Sequence, residues 1–327
     1  MKFQKILAVY CSLGILAMQP GVVQASTLTD AEAQVIQDSS LIGQWMSDQL
    51  KVAVPFNSTA GNVVPKQLKI FGIELGVEGV VTGTKLDVTA FDNLPTTLVN
   101  TSQIKMYNRL PLPDVLAHAK IGLPFGIDAG VRVGGIPKET FDNDTSHFGI
   151  KNTIVGIDVR KVLIEEGVTK PFGLTVGANF TRASGSLDLS STVNTKSFTE
   201  SGHTATLQNG AVASHSDWDT KSVGVQAILN KQILFFNPYI GASANKNFGS
   251  VTTTVTETGT LAVDGIANPA GATTLSGSGA ATPNMWDIRA LIGCEFSILP
   301  FVKLGINGEY AGSQKLGADI GLRIQFR

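Results

Sequence analysis

A two-residue periodicity of apolar side chains, which persists from about residue 68 to the end of the chain, restricts the fold more than any other sequence feature. In residues 71–78, Phe, Ile, Leu and Val alternate with Gly and Glu. Successive side chains of a β-strand point to opposite faces of a sheet, so the pattern predicts strands with one apolar and one polar face. The segments that fit it are 68–82, 84–91, 114–123, 126–136, 147–162, 171–187, 218–229, 238–256, 286–297, 301–311 and 314–326.

These segments have the length and the chemistry of membrane-spanning strands. Soluble antiparallel sheets also alternate, so alternation alone does not indicate a membrane. Each repeat, however, extends over roughly 9 to 11 residues, the span of a tilted transmembrane strand, with aromatic residues near the ends of its apolar face. The other face carries glycine and charged residues of both signs, which a soluble β-sandwich would not bury in its core. We therefore predict an all-β fold: an antiparallel transmembrane β-barrel with lipid outside and the polar face lining the lumen.

The strand count is expected to be about 12, within a range of 10 to 14. The pattern gives eleven strands, and single-chain bacterial barrels usually have an even number, so a twelfth is expected between residues 51 and 66. Short and long connections alternate along the chain, as do the periplasmic turns and extracellular loops of such barrels. The long connections are expected at 92–113, 137–147, 188–217 and 257–284.

The composition excludes several classes of protein. With 43% hydrophobic residues the chain is not disordered, and 25 Lys and Arg against 26 Asp and Glu leave no basic surface for nucleic acid. Of the two cysteines, Cys11 lies in the N-terminal apolar run, so Cys294 has no partner for an internal disulfide. No cofactor is expected.

Residues 1–25 have the layout of a secretory signal peptide. Lys2 and Lys5 precede an apolar run at 6–18, and small residues before Ser26 predict cleavage after Ala25. The alternative is a membrane anchor, but the run is shorter than the roughly 20 residues that span a bilayer. We expect export and insertion into the outer membrane of a Gram-negative bacterium.

Between the signal peptide and the barrel, residues 26–66 are expected to form an N-terminal helix and a connector, before a barrel at 67–327. Residues 28–50 repeat apolar side chains at helical spacing, after a capping box at Thr29–Glu32. The helix has two interpretations, a plug inside the lumen or an amphipathic anchor on the membrane surface. Its acidic side, which suits a lumen with arginines, favours the plug. The acids are Asp30, Glu32, Asp38 and Asp48, and the residues expected to pack in the lumen are Trp45, Met46 and Leu50.

Charged side chains of both signs are expected on the lumen face. They line a solute pathway with some ion preference, or they form an ion-pair network that fills a narrow barrel. Nine acids against six Lys and Arg would favour cations slightly if water passes. The set is Glu74, Glu78, Asp87, His118, Lys120, Asp128, Arg132, Asp158, Arg160, Asp287, Arg289, Glu295, Lys303, Glu309, Asp319 and Arg323.

No combination of residues predicts catalysis or a metal site. Catalysis needs a nucleophile, a base and an orienting group that converge. The four histidines are His118, His147, His203 and His215, and none has a local spacing that supports such a group. His203, His215 and Asp217 also lack the compact spacing of metal ligands. The expectation is therefore a protein that is not an enzyme.

Structural motifs support a resemblance that covers nearly the whole mature chain. Residues 316–327 alternate up to Phe326, like the terminal strand of outer-membrane barrels, although Arg327 follows the aromatic residue. Together with the helix and the proline-containing turns at 110–113, 122–126 and 299–300, the chain resembles a family of uncharacterised bacterial outer-membrane β-barrel proteins with an N-terminal helix. That resemblance implies the fold and no activity. A looser similarity links the chain to long-chain fatty-acid transporter-type barrels.

These observations predict passive or gated passage of a small solute, hydrophobic solutes included, across the outer membrane. The alternative is a non-transporting barrel with a sealed lumen, whose role is structural or lies in surface contacts. Outer-membrane lipid and a small solute are the expected partners.

Overall fold

The computed structural model describes residues 20–61, 63, 65, 68–99, 101, 108–142, 146–167, 170–193, 197–200, 202–268, 270–312 and 314–326. The charged and apolar regions of the predicted signal peptide lie outside these ranges. Within them the chain forms two α-helices, thirteen β-strands and a short 3-10 turn at Pro124–Gly126.

The elements follow one another in a simple order along the chain. A long helix and a short helix flank the first strand, and strands make up nearly all of the rest. Their bounds are α1 Pro20–Ser58, β1 Ile73–Lys85, α2 Val88–Asp92, β2 Arg109–Leu123, β3 Ile127–Asp142, β4 Ser146–Ile164, β5 Gly173–Val193, β6 Ser197–Glu200, β7 His203–Asn230, β8 Phe236–Val263, β9 Ile266–Ala267, β10 Thr273–Ala281, β11 Trp286–Leu299, β12 Val302–Tyr310 and β13 Lys315–Phe326.

Ten of the described strands close into an antiparallel barrel. Around the ring the order is β8, β11, β12, β13, β1, β2, β3, β4, β5 and β7, and β7 pairs back with β8. The first and last strands of the ring in the sequence, β1 and β13, pair with each other, and Ile73 lies opposite Phe326. Strands β6, β9 and β10 each pair with β7 or β8 without joining the ring. The fold is thus the predicted transmembrane-type barrel, at the lower end of the expected strand range.

Two predicted strands do not form. Residues 51–58 continue α1, so no strand lies between residues 51 and 66 in the described part of the chain. The strand expected at 84–91 is interrupted because Asp87 caps α2, where its side chain accepts a hydrogen bond from the Ala90 amide. The remaining ten predicted segments are the ten strands of the ring.

The helix and the barrel differ from their predicted bounds. Helix α1 begins at Pro20, before the expected cleavage point, so Thr29 is not its N-cap. It ends at Ser58 rather than Leu50 and contains Pro55. The barrel itself begins at Ile73 rather than residue 67. We call the described residues between α1 and β1, which are 59–61, 63, 65 and 68–72, the connector.

The outer face of the ring is apolar, and the inner face is polar toward one end. On β1, Ile73, Leu75 and Val77 are about half exposed, whereas Glu74 and Glu78 are 0% and 5% exposed. The same contrast holds on β13, where Ile320 and Leu322 are exposed between buried charged residues. Such an exposed apolar belt is stable against lipid rather than water.

The strands extend much further at one end of the barrel than at the other. The turns at 124–126, 231–235 and 300–301 are compact, the turn between β4 and β5 is closed by a bridge between Gly167 and Lys170, and we call this the short-turn end. At the opposite, long-strand end, β7 and β8 extend to 28 residues each, whereas β12 has 9. The loops expected at 188–217 and 257–284 are therefore largely strand: they contain β6, β9, β10 and the extensions of β5, β7 and β8.

The position of the membrane belt predicts different effects for two arginine substitutions. Ile320→Arg, in the middle of β13 on the apolar face, is expected to lower the free energy of unfolding in lipid vesicles by roughly 2–4 kcal/mol. Thr254→Arg, exposed on the same face but in the long extension of β8, is expected to change it by less than about 0.5 kcal/mol. Equal losses in urea titrations of both variants would contradict this position of the belt.

Candidate functional site

Helix α1 and the connector lie inside the ring and run from one end of it to the other. Near its start, α1 packs through Ala31 and Val35 against Leu207 and Leu261 in the long extensions of β7 and β8. The backbone of Lys69, at the far end of the connector, lies against Gly122 at the short-turn end. Between these points α1 contacts β13, β1 and β2 on one side of the ring and β5, β7 and β8 on the opposite side.

Two arginines on opposite sides of the ring hold the C-terminal end of α1. Arg132 of β3 donates to the carbonyl oxygens of Ser58 and Ala60, at 2.7 and 3.1 Å. Arg289 of β11 donates to the carbonyl oxygen of Phe56 at 3.4 Å. The last carbonyl groups of a helix have no partner within the helix and carry its negative dipole end. The barrel wall supplies the missing donors, which explains why the helix extends beyond its predicted end.

The same helix end joins a wider polar network. Arg289 forms ion pairs with Asp287 and Glu309 at 2.5 and 2.6 Å. Glu309 also accepts a hydrogen bond from the Gly61 amide at 2.9 Å, and Asn57 bridges Thr82 of β1 and Asp114 of the neighbouring β2. Asp114 and Asn57 were not among the predicted site residues, because no sequence pattern places their partners beside them.

The long-strand half of the lumen is apolar. The predicted plug residues Trp45, Met46 and Leu50 are all buried there. The Trp45 ring lies 4.6 Å from that of Phe91, and its Nε1 donates to the Asp87 carbonyl at 3.1 Å. Asp87 itself is an exposed loop residue, which corrects its predicted place on the lumen face. The wall residues packed around the helix include Val80, Leu112, Leu116, Ile154, Leu187, Trp218, Val251 and Val255.

Glycines allow α1 to approach β10 backbone to backbone. A Cβ atom on Gly43 would lie 2.9 Å from the Gly279 amide nitrogen, and a Cβ on Gly279 would overlap the backbone of Gln44. Ser47 secures this seam, since its Oγ lies 3.0 Å from both the Gly279 carbonyl oxygen and Thr253 Oγ1. Gly43 and Ser47 therefore contact the glycines of β10, whereas Trp45, Met46 and Leu50 pack in the apolar cluster.

Asp38 attaches α1 to the loop between β1 and β2. Its buried carboxylate accepts hydrogen bonds from the amides of Thr97, Leu98 and Val99 at 2.7–2.9 Å. Three successive amides that converge on one carboxylate form an anion-binding nest. The acids of α1 were expected to face barrel arginines; instead the helix carbonyls bind those arginines, and Asp38 binds backbone amides.

Beside Asp38, Ser39 donates to Glu257 Oε1 at 2.9 Å. Glu257 lies in the extension of β8 beyond its pairing with β11 and hence outside the membrane belt. Burial raises the pKa of Glu257 to about 8, and the nearby Asp38 charge adds to the effect. Glu257 was missed from the sequence because its segment, rich in Thr and Gly, was interpreted as a loop.

The predicted lumen charges cluster in the short-turn half of the ring. Lys303 is half-buried, and the other members of the set, apart from Asp87, are buried. The ring brings opposite charges together, as in Arg160 of β4 with Asp128 of the neighbouring β3 at 2.8 Å, and Arg323 of β13 with Glu295 of β11, two strands away, at 2.5 Å. Further contacts join His118 to Glu74 at 3.4 Å, Lys120 to Asp158 at 3.6 Å, Arg323 to Glu74 at 3.7 Å and Asn307 to Asp319 at 2.9 Å.

Neutral amides line the part of the inner wall formed by β7 and β8. Asn230, Asn237, Asn245 and Asn247 are all buried there. Asn237 Nδ2 and Asn245 Oδ1 have no hydrogen-bond partner among the described residues. Buried polar atoms are normally hydrogen-bonded, so this wall has capacity for further polar contacts. Sequence reasoning missed it, because only charged residues were considered as lumen candidates.

Histidines tie the strands together above the membrane belt. His215 of β7 contacts Asp188 of β5 at 2.5 Å and Asp217 at 2.9 Å. The hydrogen bond to Asp188 raises the pKa of His215 above its ordinary value. Nearby, His203 contacts Asp264 at 2.6 Å, which lowers the pKa of that carboxyl group. The first contact joins β7 to β5, and the second joins the start of β7 to the residue that follows β8.

The raised pKa of His215 predicts a pH-dependent local stability. The charged histidine stabilises the β5–β7 pairing fully below about pH 6.5, its unfolded value, and the contribution disappears as pH rises through the raised folded value. His215→Gln is therefore expected to speed amide hydrogen exchange around Asp188 relative to the wild type at about pH 5.5, and to leave it unchanged at about pH 9. The same difference at both pH values would contradict this role.

Among the described residues, no group of three or more His, Cys, Asp and Glu side chains is arranged to hold a metal ion. Cys294 is a half-buried free thiol. No described helix combines the length and the hydropathy required to cross a bilayer.

No protein-family model and no curated protein sequence matches the chain. Similar solved structures include the outer membrane protease OmpT from Escherichia coli, at 10% identity over 82% of this chain and 100% of that one, with a TM-score of 0.41. The translocator domain of the autotransporter NalP from Neisseria meningitidis is 11% identical over 86% and 95% of the two chains, with a TM-score of 0.31. The KdgM porin is 8% identical over 77% and 99%, with a TM-score of 0.31.

At these identities the likeness is one of barrel architecture only. A protease, an autotransporter domain and a porin are all represented, so the comparison neither assigns nor excludes an activity. The similarity to fatty-acid transporter-type barrels is not shown and stays a prediction.

Proposed function

We propose that the protein is a gated channel in the outer membrane of a Gram-negative bacterium, closed in the present conformation by α1 and the connector. One observation supports the proposal. Arg132 and Arg289 donate hydrogen bonds to backbone carbonyl oxygens at the C-terminal end of α1. These contacts are with neutral backbone groups. Arg289 keeps its ion pairs with Asp287 and Glu309 when the helix leaves, so opening does not leave that buried charge without a partner.

The lining of the lumen favours a small solute with apolar character. Withdrawal of α1 would uncover the apolar wall around Leu116 and Trp218 at the long-strand end. That end corresponds to the extracellular side, because bacterial barrels have their short turns in the periplasm. An apolar vestibule open to the outside captures hydrophobic solutes by burial of their surface. We propose this transport role as non-enzymatic, in keeping with the spacing of the histidines.

A reversible cross-link between α1 and the wall tests the gate. Ser47 Oγ and Thr253 Oγ1 are 3.0 Å apart, so cysteines at both positions are placed to form a disulfide. In a Cys294→Ala background, the oxidised Ser47→Cys, Thr253→Cys variant is expected to remain closed in planar bilayers. After reduction, opening events as frequent as in the wild type are expected.

The single variant Ser47→Cys in the same background is the matched control, since it cannot cross-link within the chain. Equal opening frequencies before and after reduction of the double variant would reject α1 as the gate. A wild-type barrel that shows no opening under any applied potential would favour the alternative function.

That alternative is a sealed barrel whose role lies in surface contacts. The observation that favours it is the height of β7 and β8, which extend far beyond the 9 to 11 residues that a membrane-spanning strand requires. Their extensions form a protruding sheet at the long-strand end that is suited to contact with other molecules.

A further inference from the structure

The outer wall of the barrel carries an apolar groove over β13, β1, β2 and β3, with a volume of about 500 Å³. The groove follows β2, whose outward side chains at this height are only Ala117 and Ala119. Larger side chains stand directly opposite these alanines on both neighbouring strands, so the missing side-chain volume forms a channel along β2. The flanking residues are Leu75 and Val77 on β1 and Val131 and Val133 on β3.

The groove is long and narrow, and larger side chains of β2 stand beyond its two alanines in both directions. Val115 and Ile121 are the next outward residues of β2 above and below the alanines, and both are exposed. Their Cα atoms are separated by about 20 Å, from the rise of a β-strand. The volume lies within the roughly 300–1,000 Å³ typical of small-molecule sites. This shape suits one extended hydrocarbon chain.

The groove belongs to the membrane leaflet next to the short-turn end. Its β1 wall begins at Leu75, two residues from the start of that strand. It is continuous with the exposed apolar belt, so the molecules that reach it within a membrane are lipids. Its floor is formed by the backbone of β2 and by Gly76 and His118.

Positive charge lies below the groove on the same outer face. Lys161 is exposed on β4, with the outward parity of Ile157 and Val159, and pairs with Ile127 beside the β2–β3 turn. A phosphate group at the membrane surface would therefore meet this lysine when its acyl chain lies along the alanines.

We propose that this groove is a binding site for one phospholipid, with an acyl chain along Ala117 and Ala119 and the phosphate toward Lys161. The site is separate from the lumen and does not depend on whether the barrel conducts.

Native mass spectrometry of the full-length barrel in non-ionic detergent tests the site, with palmitoyl-oleoyl phosphatidylglycerol as the probe. The variant Ala117→Leu, Ala119→Leu fills the groove and is expected to bind the first lipid at least tenfold more weakly than the wild type. Ala290→Leu, at a lipid-facing alanine of β11, is the matched control and is expected to bind as the wild type does. Heat-modifiable gel mobility verifies that each variant is folded.

A second variant separates the headgroup from the acyl chain. Lys161→Gln is expected to weaken binding of the phospholipid but not of a diacylglycerol with the same chains. Wild-type lipid binding by the double leucine variant, or an equal loss in Ala290→Leu, would overturn the proposal. So would a wild-type dimer that the leucine substitutions dissociate without changing the bound lipid, because a second copy of the chain would then occupy the groove.

Discussion

A barrel that lacks residues 26–61 is expected to conduct ions steadily, whereas one that lacks only residues 26–50 is expected to stay closed except for brief opening events. The shorter deletion empties the apolar half of the lumen but leaves the last turn of α1, whose carbonyl oxygens bind Arg132 and Arg289. The longer deletion removes that turn. The ring should persist in both variants, because β13–β1 and β7–β8 pairing closes it without the helix.

Single-channel recordings in planar bilayers compare the two deletions directly. The open variant is expected to be weakly cation-selective, because acids outnumber Lys and Arg among the lumen candidates. Heat-modifiable mobility establishes that both barrels are folded before their currents are compared. Large conductance from both deletions would show that the last turn of α1 does not close the lumen. No conductance from either would support a sealed barrel.

The strands of the ring and the direction of their faces were predictable from sequence because the membrane imposes a strict pattern. Within the belt, one face of each strand meets lipid and must be apolar, as at Leu75 and Val77. The other face meets the lumen, where charge is tolerated if it is paired, as at Glu74. A one-residue shift would reverse both faces, so the periodicity is strong and easily recognised.

Outside the belt this constraint disappears, and the prediction failed there. Strand β10 alternates Gly277 and Gly279 with serines, so neither of its faces is apolar. Its residues resemble a flexible loop when considered alone. They form a strand because β8 supplies the hydrogen bonds and α1 covers the glycine face. Tertiary contacts of this kind leave no local periodicity in the sequence.

The end of α1 was misplaced for a related reason. Pro55 and the glycine at position 61 are signals that normally terminate a helix. The helix continues past Pro55 because Arg132 and Arg289 satisfy carbonyl groups near its end. Each arginine was recognised as a lumen residue, but their convergence depends on the positions of β3 and β11 on opposite sides of the ring. Only the closed topology brings them to one helix end.

The second large effect is expected from Gly279→Val, which should displace the N-terminal part of α1 from the wall. A Cβ atom at this position would overlap the backbone nitrogen and Cα of Gln44, and helix backbone cannot yield as a flexible side chain can. Overpacking of this kind typically costs about 1–3 kcal/mol. The variant is expected to increase amide hydrogen exchange along residues 36–47 and to raise the frequency of opening in planar bilayers.

Ser278→Val is the matched control, because Ser278 is the neighbouring residue on the exposed face of β10. Both substitutions introduce the same β-branched side chain at adjacent positions of one strand, and they differ chiefly in what that side chain meets. We expect the hydrogen-exchange rate and the opening frequency to stay at the wild-type level in Ser278→Val and to increase in Gly279→Val. That result would assign the effect to the contact between α1 and β10. Faster exchange without more opening would mean that the upper part of α1 can detach while Arg132 and Arg289 still hold the lumen closed, so that the block resides in the last turn of the helix.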